Sequence, residues 1–572
     1  MYIVIPEEDQ MKKGQEYTGT VERVRFPNKG IVHETDTGER CTVKNVLPGQ
    51  KIRFRVTKKR NGACEGTLME VISRSDMECD SACSHFDVCG GCCYQTLPYE
   101  EQLKLKEKQV HELLDPVIES AGIDNTIFES IIPAPDRFEY RNKMEFSFGD
   151  MSVGGPLELG LHKRGSFYDI VTVKNCRIVD PDFRSILAET LAYFRGKETS
   201  YYHKRTHEGF LRYLVVRKGA RTGEILIDLV TTSQIPVDTI CTEVSLLDDW
   251  KETLLGLKLS GKIIGILHTT DDKVADIVAN DHTEVLFGQD HFTEEILGLK
   301  FKITPFSFFQ TNTLSAEVLY SKVRDYVNQT AHKGDEEKIL FDLYSGTGTI
   351  GQIMSTNNTK VVGVEIVEEA VEAANENARS NGLHNCRFIA GDVLKVIDEI
   401  QEKPDLIVLD PPRDGINPKA LEKITDFGVD NIIYISCKPT SLARDMEFMI
   451  GRGYRPVRVC PIDQFPNTQH VETCVLLSHQ KVEKWGYIDY EPQNSDYLKD
   501  CNFQATYADV TEWVMKTYGE HVSNLNIAQV KDKCGFEKRE NYNKGKEGHR
   551  VPKCPPEKEK MILEAFKHFG MI

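Results

Sequence analysis

The chain has 572 residues, 40% of them hydrophobic and 28% charged, with a formal net charge of −17. That is the make-up of a globular protein too long for one core, and it predicts roughly three to five domains. No apolar run approaches the ~20 residues of a membrane helix, and Met1-Tyr-Ile-Val-Ile-Pro6 turns acidic without the features of a secretory signal. The expected location is the cytoplasm, where 16 cysteines predict reduced thiols, metal ligands or catalysis and not a disulfide framework.

Residues 11–73 read as a small all-β domain. Short alternating stretches such as Tyr17–Val24 and Gln50–Val56 are punctuated by Gly and Pro, and five short strands in this length suit an OB-like barrel, a fold that tracks nucleic-acid backbones. The global charge argues against a nucleic-acid partner, but Arg40, Lys44, Lys51, Arg53, Arg55, Lys58, Lys59 and Arg60 follow one another with no acid between them. Gly14, Tyr17-x-Gly19-x-Val21 and Leu47-Pro-Gly-Gln50 resemble a TRAM domain, an RNA-binding module.

A cysteine group follows: Cys79, Cys83, Cys89, Cys92 and Cys93. Glycines between Cys89 and Cys92 let the backbone fold tightly around a metal centre, with Cys176 as the best distant fourth ligand. Zinc takes a closed four-ligand site; an iron–sulfur cluster takes three nearby cysteines and one distant. Cys79-x3-Cys83 is followed by five residues and not two, so the radical-SAM spacing is absent, and a structural or substrate-positioning role is expected. Cys79 and Cys93 read as spare thiols.

Residues 98–122 predict an amphipathic helix. The rest of 76–304 alternates strand-like runs (Arg141–Phe148, Leu211–Arg217, Glu224–Val230) with loops, as in an α+β or antiparallel domain, and Arg137, Arg141, Lys143, His162, Lys163, Arg212 and Arg217 are candidates for an RNA-facing surface.

Residues 305–480 alternate β and α units, which predicts a doubly wound parallel sheet. Strand Ile339–Tyr344 enters Ser345-Gly-Thr-Gly-Thr349, and Glu365 ends the next strand, 19 residues after Gly346. Gly346-x-Gly348-x-x-Gly351 matches the dinucleotide fingerprint, so a nicotinamide cofactor competes with S-adenosylmethionine. Asp342, four residues before the glycine turn, favours the latter, since a carboxylate suits an ammonium and repels a pyrophosphate. Asp410-Pro-Pro closes another strand as a rigid loop. Ile432–Ile435 then runs into Cys437-Lys438-Pro439, placing a thiol at the ligand-binding end of the sheet beside a cation, where a nucleophile belongs.

Taken together, Pro305-Phe-Ser-Phe-Phe-Gln-Thr-Asn312, Asp342-Leu-Tyr-Ser-Gly-Thr-Gly348, Asp410-Pro-Pro-Arg413, Ser436-Cys-Lys-Pro439 and Asp463-x-Phe-Pro-x-Thr-x-His470-Val-Glu472 resemble the RNA uracil-C5 (m5U) methyltransferase family over about residues 11–480. The resemblance implies a multidomain α/β chain with a doubly wound SAM-dependent methyltransferase domain at 305–480, an OB-like barrel at 11–73 and a central α+β domain within 76–304. It implies Cys437 as nucleophile, Glu472 as proton acceptor, and Gln310, Tyr344, Glu365 and Asp410 as contacts to S-adenosylmethionine. It also implies that Cys83, Cys89, Cys92 and Cys176 ligate a [4Fe–4S] cluster, as in the ribosomal branch of the family. The implied partner is RNA, 23S rRNA first and tRNA as the alternative, for a monomeric enzyme. Lys438 stands where relatives carry Asn or Asp, and is expected to lower the thiol pKa. An m5C enzyme would carry a second cysteine where Asp410-Pro-Pro-Arg413 stands. A non-catalytic RNA-binding or iron–sulfur sensor protein would have no need of Cys437 and Glu472.

Residues 485–572 lie outside that resemblance. Tyr507, Val510, Trp513, Val514 and Tyr518 fall at helical spacing, Ser523 is a candidate cap for a second helix, and Pro555 opens a third. An RNA contact and a docking module are equally open for this extension.

Overall fold

Alternation of apolar and polar side chains closes the first strands on themselves. The computed structural model describes residues 10–60, 62–234, 243–274, 282–330, 337–356, 359–480, 507–518, 520–534 and 554–569. It falls into two units, Met1–Val482 and Glu483–Ile572. Strands β1 (Glu16–Arg25), β2 (Lys29–Glu34), β3 (Arg40–Lys44), β4 (Lys51–Arg60) and β5 (Ala63–Ser73) form a closed barrel in the order β1-β2-β3-β5-β4. Its interior holds Val21, Val32, Val43, Ile52, Phe54 and Val56. Closure also brings acids beside the basic run: Arg53 pairs with Glu70 at 2.7 Å, Arg55 with Glu16 at 2.7 Å, and Lys59 with Glu39 at 3.0 Å. The strip that is uniformly positive along the chain is therefore largely neutralised across neighbouring strands.

Helix α1 (Tyr99–Ser120) follows the cysteine segment and buries Val110, Leu114, Val117 and Ile118 in the core of the C-terminal sheet. The central domain has β6 (Lys143–Gly149), β7 (Glu158–His162), β8 (Ile170–Thr172), α2 (Pro181–Gly196), β9 (Leu211–Lys218), β10 (Glu224–Thr231), α3 (Glu243–Leu255), β11 (Lys262–Thr270) and β12 (His282–Gly288). Its strands form one sheet in the order β12-β11-β10-β9-β6-β7-β8, antiparallel except for β10 with β11. Helices α2 and α3 pack Phe183, Leu187, Phe194 and Trp250 on it. Two expected RNA-facing residues are not on the surface. Arg212 is 3% and Arg217 2% exposed, and their guanidinium groups donate to backbone carbonyls of Asp271 and Ser307 respectively; buried charge needs such partners.

After the hairpin β13 (Phe292–Ile296) and β14 (Leu299–Ile303) come α4 (Thr313–Gln329), β15 (Lys338–Leu343), α5 (Thr349–Met354), β16 (Thr359–Glu365), α6 (Glu368–Ser380), β17 (Cys386–Ala390), α7 (Val393–Val396), β18 (Leu406–Leu409), α8 (Pro418–Asp426), β19 (Asn431–Ser436), α9 (Pro439–Gly451), β20 (Tyr454–Ile462) and β21 (Glu472–His479). The sheet order is β17-β16-β15-β18-β19-β21-β20. Contrary to the all-parallel expectation, β21 runs antiparallel to both neighbours. The segment between β20 and β21 is too short for the crossover of a dozen or more residues that parallel strands require, so the chain turns back as a hairpin.

In the second unit, α10 (Tyr507–Tyr518), α11 (Asn524–Lys533) and α12 (Pro556–His568) surround a core of Val510, Val514, Val522, Ile527, Val530, Ile562 and Phe566. The Ser523 hydroxyl accepts from the Asn526 amide at 3.3 Å, the cap anticipated for α11. The Tyr507 side chain lies outside the described residues. Among the described residues no helix is long and apolar enough to cross a membrane.

Candidate active site

The glycine turn shapes one end of the C-terminal sheet. Gly348 has φ +72°, and a Cβ there would stand 2.5 Å from the Phe388 ring; a Cβ on Gly351 would stand 2.8 Å from an Asp342 carboxylate oxygen. Only glycine fits such approaches. Asp342 Oδ2 accepts from the Gly351 amide at 2.8 Å, while Asp342 Oδ1 and the Ser345 hydroxyl are buried with no hydrogen-bond partner. Unpartnered buried polar atoms at a sheet end are what a polar ligand would satisfy.

Tyr344, Glu365 and Asp410 stand at the ends of the neighbouring strands β15, β16 and β18. The Tyr344 amide donates to Val364 O at 2.9 Å and the Asp410 amide to Leu343 O at 3.4 Å. Glu365 accepts from the amides of Gly346, Ile366 and Val367. Gln310 reaches the same end from the loop before α4: its carbonyl accepts from Asn142 at 3.0 Å and its side chain from Gln464 at 2.8 Å. Three apolar side chains near Glu365 and the glycine turn are exposed, Phe308 at 66%, Ile366 at 68% and Val367 at 48%.

Cys437 and Glu472 come together through strand register. Ser436 pairs with Thr473, so the next residues, Cys437 and Glu472, lie side by side at the strand ends. Cys437 is half-buried and precedes α9, whereas Glu472 is 4% exposed. Burial first, then the charges of Glu472 and Asp410, pushes the Cys437 thiol up to about 12, and the Arg413 guanidinium opposes this. Burial and Asp410 push Glu472 up to about 8, with Arg413 again opposing. Burial raises Asp342 and Asp410 to about 7 each, helped by Glu365 and by Asp342 respectively. The expected lowering of the thiol by Lys438 is not what the fold provides: Lys438 turns toward Asp414 at 4.0 Å, and the cation that acts on Cys437 is Arg413.

Two further residues join this group without having been singled out in the sequence. Tyr320, buried on α4, accepts from the Gln310 side chain and faces Asp410, Glu472 and Asp342. Its position in the apolar repeat of an amphipathic helix made it look like core. Arg413 was legible only as the last residue of Asp410-Pro-Pro-Arg413.

The loop from Asp463 to Val471, which leads into Glu472, is clamped from below. Lys106 Nζ and Asp463 Oδ1 form an ion pair at 2.6 Å with both side chains fully buried, and Lys106 also donates to Phe465 O. Asn467, at φ +67°, accepts on its carbonyl from the amides of Cys93 and Tyr94 at 2.9 and 3.0 Å. Its own amide donates to Gln102 at 2.9 Å and its side chain to Arg137 O at 2.9 Å.

Cys83, Cys89, Cys92 and Cys176 gather although 84 residues (176 − 92) separate the last two. Cys83, Cys89 and Cys176 are buried and Cys92 half-buried. The Gly91 amide donates to Cys89 Sγ at 3.4 Å and the Gln95 side chain to Cys92 Sγ at 3.4 Å, while Cys83 Sγ lies 4.0 Å from the carbonyl of Asn175, the residue before Cys176. Among the described residues no group of three His, Cys, Asp or Glu side chains closes on a point as the ligands of a single ion do. Cys79 is exposed and Cys93 half-buried.

A mostly parallel sheet with a glycine turn and a carboxylate at the end of its second strand is the frame of a nucleotide-cofactor enzyme. The structure of Pyrococcus abyssi tRNA (uracil-54, C5)-methyltransferase in complex with S-adenosyl-L-homocysteine has this fold, with a TM-score of 0.61 and 23% identity over 80% of this chain and 100% of that one. Residues 221–480 match the tRNA (uracil-5-)-methyltransferase family model. Uncharacterized RNA methyltransferases of Clostridium tetani and Caldanaerobacter subterraneus are 45% and 46% identical over 467 residues, covering 82% of this chain and 98% and 99% of theirs. The chain belongs to the RNA m5U methyltransferase family: it is an RNA methyltransferase that uses S-adenosylmethionine.

Proposed function

We propose that the chain forms 5-methyluridine in 23S rRNA, with Cys437 adding to C6 of the target uracil and Glu472 removing the proton from C5. The adjacency of Cys437, Glu472 and Asp410 carries this reading. C6 of uracil is electrophilic, as the β-carbon of an enone, and the Cys437 thiolate bonding there moves electron density to C5. Gln310, Tyr344, Glu365 and Asp410 would hold S-adenosylmethionine, whose sulfonium methyl would be available to that carbon, with S-adenosylhomocysteine as the leaving thioether. Glu472 then takes the C5 proton, the electrons return to the ring, and the bond from Cys437 to C6 breaks. General-base help of this kind is worth ~10²–10⁴-fold. The target base must leave its stack to reach the pocket.

The unpartnered Asp342 and Ser345 oxygens and the exposed apolar side chains beside Glu365 fit such a cofactor, and a cation among Asp342, Asp410 and Glu472 would relieve their mutual repulsion. Four cysteine sulfurs, three from one loop and one distant, suit a [4Fe–4S] cluster, which is wider than one ion and would brace the segment around Cys92. The cysteines favour the ribosomal target, as does reading residues 11–73 as an RNA-binding TRAM domain. The alternative, tRNA, is favoured by the names of the matching family model and of the Pyrococcus enzyme. Labelled methyl transfer to total RNA, followed by mapping of the modified nucleotide, decides between them; label absent from uridine C5 would overturn the proposal.

A further inference from the structure

Beyond the catalytic end of the sheet, two aromatic side chains stand in solvent with no core beneath them. Phe167 is 58% and Tyr168 46% exposed, and neither belongs to an apolar cluster of the molecule. They occupy the turn between β7 and β8, with ring centroids 5.4 Å apart at 90°. The His162 ring stacks along Phe167 at 5.9 Å and 12°. A second loop, 201–208, brings a cation to each ring: Lys204 Nζ lies 4.7 Å from the Phe167 centroid and Arg205 Cζ 4.3 Å from that of Tyr168.

The turn is held firmly. Ser166 Oγ accepts from the Asp169 amide at 3.1 Å, and the Lys163 amide donates to Asp169 O at 2.9 Å. The cysteine segment braces its base: the Gly90 amide donates to His162 O at 3.0 Å, the Arg164 amide to Val88 O at 2.7 Å, and the Arg164 guanidinium to Cys92 O at 2.9 Å.

Register places this turn near the catalytic end. Gly149 pairs with Glu158 and Ser147 with Gly160, so β7 runs toward the Lys143 end of β6 as it approaches the turn. At that end Asn142 holds the carbonyl of Gln310, and Arg217, paired with Lys143, holds that of Ser307. The loop carrying Gln310 and the aromatic turn therefore share one end of the central sheet.

We infer that Phe167 and Tyr168, with Arg205 beside them, form a platform on which unpaired bases of the RNA substrate stack while the Arg205 guanidinium meets an adjoining phosphate. Exposed rings beside a cation suit a single strand, whose bases present π faces and whose backbone presents charge. A protein partner would ask for an apolar floor, which is missing here. Lys163 is paired with Asp169 at 3.7 Å and Arg164 is turned into the cysteine segment, so Arg205 is the cation that carries the phosphate contact. Arg205 makes no ion pair among the described residues. The inference rests on RNA as substrate but not on the chemistry assigned to Cys437.

The test is anisotropy of a short fluorescein-labelled single-stranded RNA with the full chain, titrated across potassium chloride concentrations. Phe167→Ala and Tyr168→Ala are each expected to weaken binding on the order of tenfold with the salt slope unchanged. Arg205→Gln is expected to weaken binding and lower the slope by about 0.7, and Phe167→Trp to retain affinity. Full affinity in both alanine variants would overturn the inference, as would a loss matched by weaker cofactor binding or a lower Tm. Methyl transfer separates this from the enzymatic reading. An unsubstituted chain that methylates RNA, beside ring variants with a higher KM and unchanged kcat, supports both. Ring variants that bind and methylate like the unsubstituted chain remove the platform alone. An unsubstituted chain without transfer activity, beside ring variants that still lose RNA affinity, removes only the enzyme.

Discussion

Cys437 sits under opposing influences. The start of α9 and Arg413 favour its thiolate, while burial, Glu472 and Asp410 disfavour it more, and the thiol is pushed up to about 12. Cofactor and RNA must therefore tip the balance after binding. Cys437→Ala is expected to abolish methylation while leaving cofactor affinity within about twofold by calorimetry, since the thiol touches the pyrimidine side of the reaction. Glu472→Gln should accumulate a covalent enzyme–RNA adduct on denaturing gels, because the C5 proton then has no acceptor; product release at the normal rate would remove Glu472 from that role. Arg413→Gln should shift the pH–rate profile to higher pH, whereas Lys438→Ala, directed at Asp414, should leave it in place.

The carboxyl groups also make the stability pH-dependent. Asp342 and Asp410 titrate near 7 and Glu472 near 8 in the fold, but near 4 when unfolded. With folded values raised, their contribution to stability is fully present below about pH 4 and is lost as the pH rises through 7 to 8. The Tm of the unliganded chain is expected to fall between about pH 5 and 8, less steeply in Asp410→Asn. Cofactor, being cationic, should raise Tm more at pH 8 than at pH 6; an equal rise at both would contradict the electrostatic account.

At the scale of elements, the loop from Asp463 to Val471 joins what the chain keeps apart. Asn467 receives two amides from the cysteine segment and binds α1 through Gln102, so the segment bearing Cys92 is tied to the loop that leads into Glu472. Asn467→Ala gives up the tolerance of Asn for the left-handed region at φ +67° and removes the bond to Arg137 O. The expected outcome is normal adduct formation at Cys437 with slower resolution, seen as adduct build-up in a quench time course. Lys106→Met leaves the fully buried Asp463 carboxylate unpaired and is expected to cost about 3–5 kcal/mol in urea unfolding. Neither residue was legible as important: Lys106 belongs to a run of alternating charges on α1 that reads as a solvated face, and only packing shows which lysine turns inward.

For the whole molecule, the division at Val482 separates all the residues assigned to chemistry from the three-helix unit, whose core is its own. A chain shortened after Gln480 is expected to keep its Tm and its methyl transfer to RNA in vitro; loss of transfer with folding intact would tie the helical unit to substrate capture. The periodicities that encode secondary structure are local, so the barrel strands, α1, the β/α alternation and the helices of the second unit could be read from the sequence. Motifs with fixed backbone demands, the glycine turn and Asp410-Pro-Pro above all, were legible for the same reason. What the sequence could not contain was the partner across the gap. The neutralising acids beside Arg53, Arg55 and Lys59, the inward turn of Arg212 and Arg217, the antiparallel last strand, and Arg413 in place of Lys438 beside the thiol were decided by tertiary structure alone. Charge interactions and burial depend on distances that close only when the chain folds.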